Sequence, residues 1–343
     1  MTTHPRDPGF ASAPTREPPV PGPARRIGQE HTLSAFERLI TTGNPKIGAR
    51  RLLENAARHG INPDMLWGVV AGAGRPDAFV RQVCMVVPGA GGTGMCFLSS
   101  PTRDTRMGDR ATQIGEIGAA LGSALDDLRR DDEHGVRLAQ CLIETDQTWA
   151  RRACEDAGMT SVGTLEYLRL AFGEIRAMTP PTDPWPEGVT IRRVREMSGP
   201  ESDLGALRTA LERSYEGTMD CPELCGLRGV DDVIESHLAT GVFDPSRWWL
   251  LFVDGEPEGC CLLSHCPASE SVELVYLGIG VSARGKGLGK RLLVHALGAL
   301  RIDGVVHEVT CAVDRRNTPA SRAYRDLGFR RFDARMGYVK RVR

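Results

Sequence analysis

Between residues 284 and 290 the chain reads Arg-Gly-Lys-Gly-Leu-Gly-Lys. Gly285, Gly287 and Gly289 tolerate positive φ and let backbone N–H groups come close to a ligand, and a helix starting at Leu288 adds its positive dipole end. Such a turn is an anion cradle, and Arg284, Lys286 and Lys290 carry charge suited to a diphosphate or a 3′-phosphate. Two other phosphate patterns come close and fail. Gly280 to Lys286 begins like a Walker loop, but Gly287 stands where the magnesium-binding Ser or Thr is required. Gly278-Ile-Gly280-Val-Ser-Ala283 imitates a dinucleotide fingerprint with Asp303 twenty residues on, yet it opens no repeated βαβ series. A second constellation follows at Asn317 to Phe329. Ala320, Ala323, Tyr324 and Leu327 recur at helical spacing, so the tyrosine shares the inward face. Asn317 or Thr318 caps that helix, Pro319 suits its first turn, and Gly328 suits its C-terminal left-handed position. A buried tyrosine needs a partner for its hydroxyl, and a departing thiolate is one.

Together these motifs resemble the GNAT superfamily of acetyl-CoA-dependent N-acetyltransferases. Its coenzyme signature, Arg/Gln-x-x-Gly-x-Gly/Ala, is matched by Arg284, Gly287 and Gly289. The family's downstream pattern is matched by Asn317, Ala320, Tyr324, Gly328 and Phe329, in the same order. The resemblance covers residues 190–340. It implies that Leu277, Gly278 and Ile279 offer backbone hydrogen bonds to the pantetheine arm and acetyl group, that residues 284–290 hold the diphosphate, and that Asn317 touches the coenzyme. Val281 stands where many members have proline, which alters the turn and leaves the amide cradle. The implied reaction is direct attack of a neutral amine on the thioester carbonyl and loss of the coenzyme thiolate. An amine near pKa 10 must shed a proton, and a thiolate of pKa about 8.5 gains from a nearby donor hydroxyl. Tyr324 is the candidate acid. Glu273, at the start of the strand that carries Leu277 and Ile279, is the candidate base; strict alternation puts all three on one face, with an exposed strand-end glutamate as the alternative. Glu216, Asp220 and Glu223 lie where the family builds its acceptor wall, to bind an ammonium or to cap helices.

The elements that must position these groups are readable around them. Residues 189–197 read as a strand, 202–217 as a helix and 231–240 as a shorter one. Residues 248–253 and 259–265 form a strand hairpin about Asp254-Gly255, and 272–281 a third strand that feeds the glycine stretch. A helix with Leu288, Leu292, Ala296, Leu297 and Leu300 on one face comes next, then strand 308–313, the Tyr324 helix and a last strand region. Residues 141–159 align without gaps on 311–329, with seven identities in nineteen positions at an offset of 170. The first half therefore reads as a degenerate copy: Cys154 replaces the tyrosine, Gln147 replaces the asparagine, no Arg-x-x-Gly-x-Gly follows its strand, and it should not catalyse.

The expected fold class is α/β (α+β), with two tandem GNAT-like domains, each a mixed, mostly antiparallel twisted sheet flanked by helices. Seven prolines before position 24 make residues 1–30 a disordered tail, and Pro180, Pro181, Pro184 and Pro186 mark a stiff linker over 177–188. The pseudo-domain occupies 31–176 and the catalytic domain 189–343. This tandem layout is similar to that of mycothiol synthases, which acetylate a cysteinyl amine on a glycoside.

With 343 residues the chain has room for two cores, and a net charge of −1 gives it none of the basic excess of a nucleic-acid or membrane-surface binder. The amine acceptor is then a small molecule or peptide. No run of 18 apolar residues occurs and the start has no apolar signal region, which fits a cytoplasmic protein. Ten cysteines without a C-x-x-C pair read as reduced thiols, and Cys221, Cys225, Cys260, Cys261, His265 and Cys266 fit no common zinc spacing. Acetyl-CoA is the expected co-substrate, with no metal. A non-catalytic acyl-CoA-binding sensor or scaffold is the alternative from another class.

Overall fold

The computed structural model describes residues 22–130, 133–178, 183–303 and 307–343. Among them, twelve strands make one sheet. The first half supplies β1 (Arg25–Arg26), β2 (Leu66–Ala71), β3 (Phe79–Gly89), β4 (Thr93–Leu98), β5 (Leu138–Glu144) and β6 (Thr160–Ala171). The second supplies β7 (Val189–Arg193), β8 (Trp248–Val253), β9 (Glu256–Cys266), β10 (Ser271–Ile279), β11 (Glu308–Asp314) and β12 (Arg330–Arg341). Nine helices accompany them among the described residues: α1 (Thr32–Leu39), α2 (Pro45–Glu54), α3 (Arg110–Arg130), α4 (Thr148–Asp156), α5 (Phe172–Ala177), α6 (Leu204–Tyr215), α7 (Val230–Leu238), α8 (Leu288–Asp303) and α9 (Thr318–Asp326).

The strand order is β1-β2-β3-β4-β5-β12-β6-β11-β10-β9-β8-β7. The last strand of each half has crossed into the other: β6 pairs with β11, and β12 lies between β5 and β6. The units in space therefore do not follow the chain division at the proline-rich segment. The internal repeat extends over three elements, since β5, α4 and β6 each lie 170 residues before β11, α9 and β12 at both ends. Parallel pairing occurs at the matching places of the two halves, β4 with β5 and β10 with β11. In the second half it lasts for Val272–Val309 and Glu273–Thr310 only. Beyond Glu273 the strands part, and among the described residues the β11-facing backbone edge of β10 is left without a ladder partner.

Local sequence explains the joints. β8 and β9 turn at Asp254 (φ 51°) and Gly255 (φ 84°), the pair of left-handed residues that a two-residue hairpin needs. The Asn317 side chain accepts from the Ala320 N–H to start α9. One face of the second half buries α8 against Leu251, Leu263, Val272, Leu274 and Val309; the other buries α6 against Trp248, Leu250, Cys260 and Leu262.

Two expectations about the non-globular parts change. Residues 1–21 lie outside the described residues, but 22–30 are not a tail: Arg25 and Arg26 pair with Gly68 and Trp67, and Ile27 is buried, because one apolar side chain and a free sheet edge suffice to order them. Pro180 and Pro181 also lie outside the described residues. Trp185 in the rest of that linker packs edge-on to His295 at 6.4 Å and beneath the Arg291 guanidinium at 4.4 Å, so it docks on α8.

Asp203 anchors α6, which walls the site. Its carboxylate accepts from both Arg192 Nη atoms at 2.6 and 2.7 Å and from the Arg195 N–H at 2.8 Å. Arg192 holds its pKa down to about 2. The depressed value means stabilisation that is complete above the ordinary aspartate pKa and is lost as pH falls through about 2. Asp203→Ala should therefore cost about 2 kcal/mol at pH 7 in urea unfolding, with a smaller cost below pH 4 or so.

Candidate active site

A cleft of about 500 Å³ opens where β10 and β11 part. Its walls are the end of β10, the glycine turn, the start of α9, and the segment from Gly217 to Asp220 after α6. Of the residues singled out in the sequence, Leu277, Gly278, Ile279, Arg284, Gly285, Gly287, Leu288, Gly289, Lys290, Asn317, Tyr324 and Asp220 line it; Lys286, Glu273, Glu216 and Glu223 do not.

The glycine turn has the geometry its sequence requires. Gly285 (φ +77°) and Gly287 (φ +73°) are left-handed, and a Cβ on either would meet no atom of the described residues within 4 Å. That open space lies at the N-terminus of α8, whose first N–H groups have no helical acceptor. A diphosphate fits the amide set and the space. The cations behave differently from expectation. Arg284 turns away from the turn and donates to three carbonyls, Ile279 at 2.9 Å, Ser214 at 2.7 Å and Gly217 at 3.1 Å. It thereby clamps the end of β10 to the C-terminus of α6, where a helix leaves carbonyls unpaired. Lys286 donates to the Ser282 carbonyl at 3.0 Å, and Lys290 pairs with Asp326 at 3.0 Å in solvent.

Tyr324 lines the cleft and is buried, 6% exposed, with its ring 5.4 Å from that of Phe329. Its hydroxyl makes no hydrogen bond among the described residues. Burial, and then the neighbouring Cys311, push its pKa well above the usual phenol value, so it holds its proton across the neutral range.

Glu273 requires a correction. Strict alternation would place it on the face of Leu277 and Ile279, but the register slips between Leu274 (opposite Leu263) and Tyr276 (opposite Leu262). That bulge reverses the faces: Leu277 and Ile279 pack with Leu274 on the α8 side, whereas Glu273 lies on the opposite face, that of Tyr276 and α6. Glu273 is half-buried, 4.0 Å from the Cys266 sulfur, and burial raises its pKa.

The acidic wall also differs. Glu216 is exposed and stands outside the cleft. Glu223 gives both oxygens to Arg316, at 2.6 and 2.8 Å, which lowers its pKa and takes it out of the acceptor wall. Asp220 alone of the three faces the cleft. Its carboxylate accepts from the Asp314 N–H at 2.8 Å, while Asp314, fully buried, accepts from the Cys221 N–H at 3.1 Å and binds Arg316. This reciprocal clamp holds segment 220–223 to the β11–α9 junction. Loss of hydration raises the Asp220 pKa. Sequence reading missed Asp314 and Arg316, although the repeat marks Asp314 as the counterpart of Glu144.

A twisted sheet whose parallel pair splays over a glycine turn at a helix N-terminus defines the class. The profile of the Acetyltransferase (GNAT) family matches residues 213–329. The chain belongs to that family. Among its relatives, a protein of Actinosynnema mirum called mycothiol acetyltransferase is 30% identical over 237 residues, covering 68% of this chain and 72% of that one. One of the same name from Rhodococcus erythropolis is 35% identical over 164 residues, 45% of this chain, and the match spans about half (51%) of the Rhodococcus protein. A solved GCN5-related N-acetyltransferase from Sphaerobacter thermophilus shares the fold, with a TM-score of 0.54 at 21% identity over 93% of this chain and 95% of that one. Among the described residues no cluster of three His, Cys, Asp or Glu side chains is placed to hold a metal, and no helix is long and apolar enough to cross a membrane.

Proposed function

We propose that the second half transfers the acetyl group of acetyl-CoA to a primary amine. The observation that carries this reading is the continuity of one cleft, lined by the β10 edge that has no ladder partner among the described residues, by the open glycine turn at the start of α8, and by Tyr324, whose hydroxyl has no partner among them. The backbone of Leu277, Gly278 and Ile279 hydrogen-bonds the pantetheine arm and orients the thioester; the amides of 285–290 hold the diphosphate; Asn317 borders the arm. Bound there, the coenzyme supplies an activated acetyl carbonyl. Tyr324, protonated at neutral pH, donates to the sulfur as it leaves. Glu273, on the α6 face of the sheet and behind the cleft lining, takes the proton of the incoming ammonium through water, and Asp220 draws that ammonium to the mouth. The first half lacks the cradle and serves as a packed partner that does not catalyse.

The names of the relatives and the tandem layout support a cysteinyl amine on a glycoside as the acceptor. Thiol release from acetyl-CoA, followed against a panel of cysteinyl glycosides, polyamines and peptides, tests this. Turnover with the glycosides alone is expected, and turnover with none of the amines overturns the reading.

Glu273 makes the rate pH-dependent with a definite sign. Its basic form exists only above its pKa, which burial moves up, so activity should fall as pH drops through a point above the ordinary glutamate value. Glu273→Gln should lower kcat by roughly 100-fold at pH 7 and remove that acid limb from the kcat profile.

A further inference from the structure

The strand exchange places side chains of the first half on the face that Glu273 looks out from. Glu273 pairs with Thr310, Thr310 with Arg169, and Ala312 with Tyr167. Directly paired residues share a face, and the alternate residues Val272, Val309, Cys311, Leu168 and Leu170 are all buried on the α8 side. Arg169 and Tyr167, both on β6, therefore stand beside Glu273 on the α6 side. β12 adds Phe332, which a register slip between Arg331 and Asp333 leaves 50% exposed. Its ring meets that of Tyr167 edge to face, with centroids 6.3 Å apart, and the Arg169 guanidinium lies 5.7 Å over it. Burial raises the Tyr167 pKa, and Arg335, Asp333 and Glu273 are close enough to act on it.

The charges around this aromatic pair are mostly matched: Glu166 binds Arg315 and Arg331, and Arg335 binds Glu144 and Asp333. Arg169 is the exception: its backbone pairs within the sheet, but among the described residues its guanidinium makes no hydrogen bond or ion pair, only the contact with Phe332. An apolar platform with an unmatched guanidinium at its edge suits a flat-faced ring that carries oxygen acceptors.

Resting on the acetyltransferase reading above, we infer that Tyr167, Phe332 and Arg169 form the specificity surface for the acceptor, cradling a ring-bearing amine whose nitrogen reaches Glu273. The first half thus shapes acceptor choice through β6 while the second half holds the coenzyme. A ring contacts Tyr167 and Phe332; oxygens on that ring accept from Arg169.

The test compares two probes that share one cysteinyl α-amine, N-cysteinyl-glucosamine and cysteine N-ethylamide, in wild type, Tyr167→Ala/Phe332→Ala and Arg169→Ala. Wild type should favour the ring-bearing probe in kcat/KM. That preference should fall roughly tenfold in the double variant, through KM for the acceptor, with KM for acetyl-CoA unchanged. Arg169→Ala, at an exposed position, should shift the same ratio in the same direction. A wild-type enzyme that does not favour the ring, or a ratio that survives both variants while only the unfolding temperature drops, overturns the inference and leaves the rings as strand packing. Failure of acetyl-CoA to react with any amine overturns the underlying acetyltransferase reading instead.

Discussion

Tyr324→Phe should lower kcat by roughly 100-fold or more while leaving acetyl-CoA affinity within about twofold. The substitution removes one oxygen. The ring keeps its packing against Phe329 and its place in the cleft lining. Because the hydroxyl has no protein partner among the described residues, its loss breaks no internal hydrogen bond, and the unfolding temperature should be nearly unchanged. Any loss of rate then belongs to the chemistry. Burial keeps the phenol protonated, which suits the role proposed for it, a donor to the leaving sulfur and not a base toward the amine. Stopped-flow or steady-state thiol release, with calorimetric acetyl-CoA affinity on the same samples, reads both quantities. A sensor that binds acyl-CoA without chemistry would show the unchanged affinity and no rate to lose. A rate within twofold of wild type would remove Tyr324 from the mechanism.

Gly287→Val should weaken acetyl-CoA binding by roughly 30-fold or more, the combined result of backbone strain and an occupied cradle. At φ +73° a β-branched residue is strained by about 1–2 kcal/mol. Its side chain also enters the space, empty of atoms of the described residues, that is proposed to hold the diphosphate. Strain and exclusion can be separated. Gly74 is also left-handed, at φ +83°, with nothing within 4 Å of its Cβ, and it stands in a turn of the first half. Gly74→Val should show comparable destabilisation by urea unfolding and wild-type affinity for acetyl-CoA. If Gly287→Val binds the coenzyme as wild type does, the diphosphate lies elsewhere.

Features set by neighbouring residues were legible in the sequence. The glycine turn, the capped α9 with Tyr324 inward, the Asp254-Gly255 hairpin and the 170-residue repeat depend on local φ preferences and helical spacing, and all stand in the fold as read. What was not legible depends on partners far along the chain. The bulge after Leu274, which moves Glu273 to the opposite face from Leu277, is a property of the pairing between β10 and β9, and alternation in one strand does not reveal an extra residue. Arg284 looked like a phosphate ligand from its neighbours, yet the carbonyls left at the end of α6, 70 positions earlier, claim its guanidinium. Glu223 likewise is matched by Arg316 across 93 positions. The exchange of β6 and β12 was hidden for the same reason: a repeat shows that two units are alike and leaves open which strand completes which sheet.

The central claim is that the open amides about Gly287 grip the diphosphate of acetyl-CoA. Calorimetric titration of acetyl-CoA into the full chain, wild type beside Gly287→Val, tests it most directly. Saturable heat in the wild type and its near loss in the variant are the predicted result; a wild type that takes up no acetyl-CoA, or two proteins that bind it equally, would contradict the account.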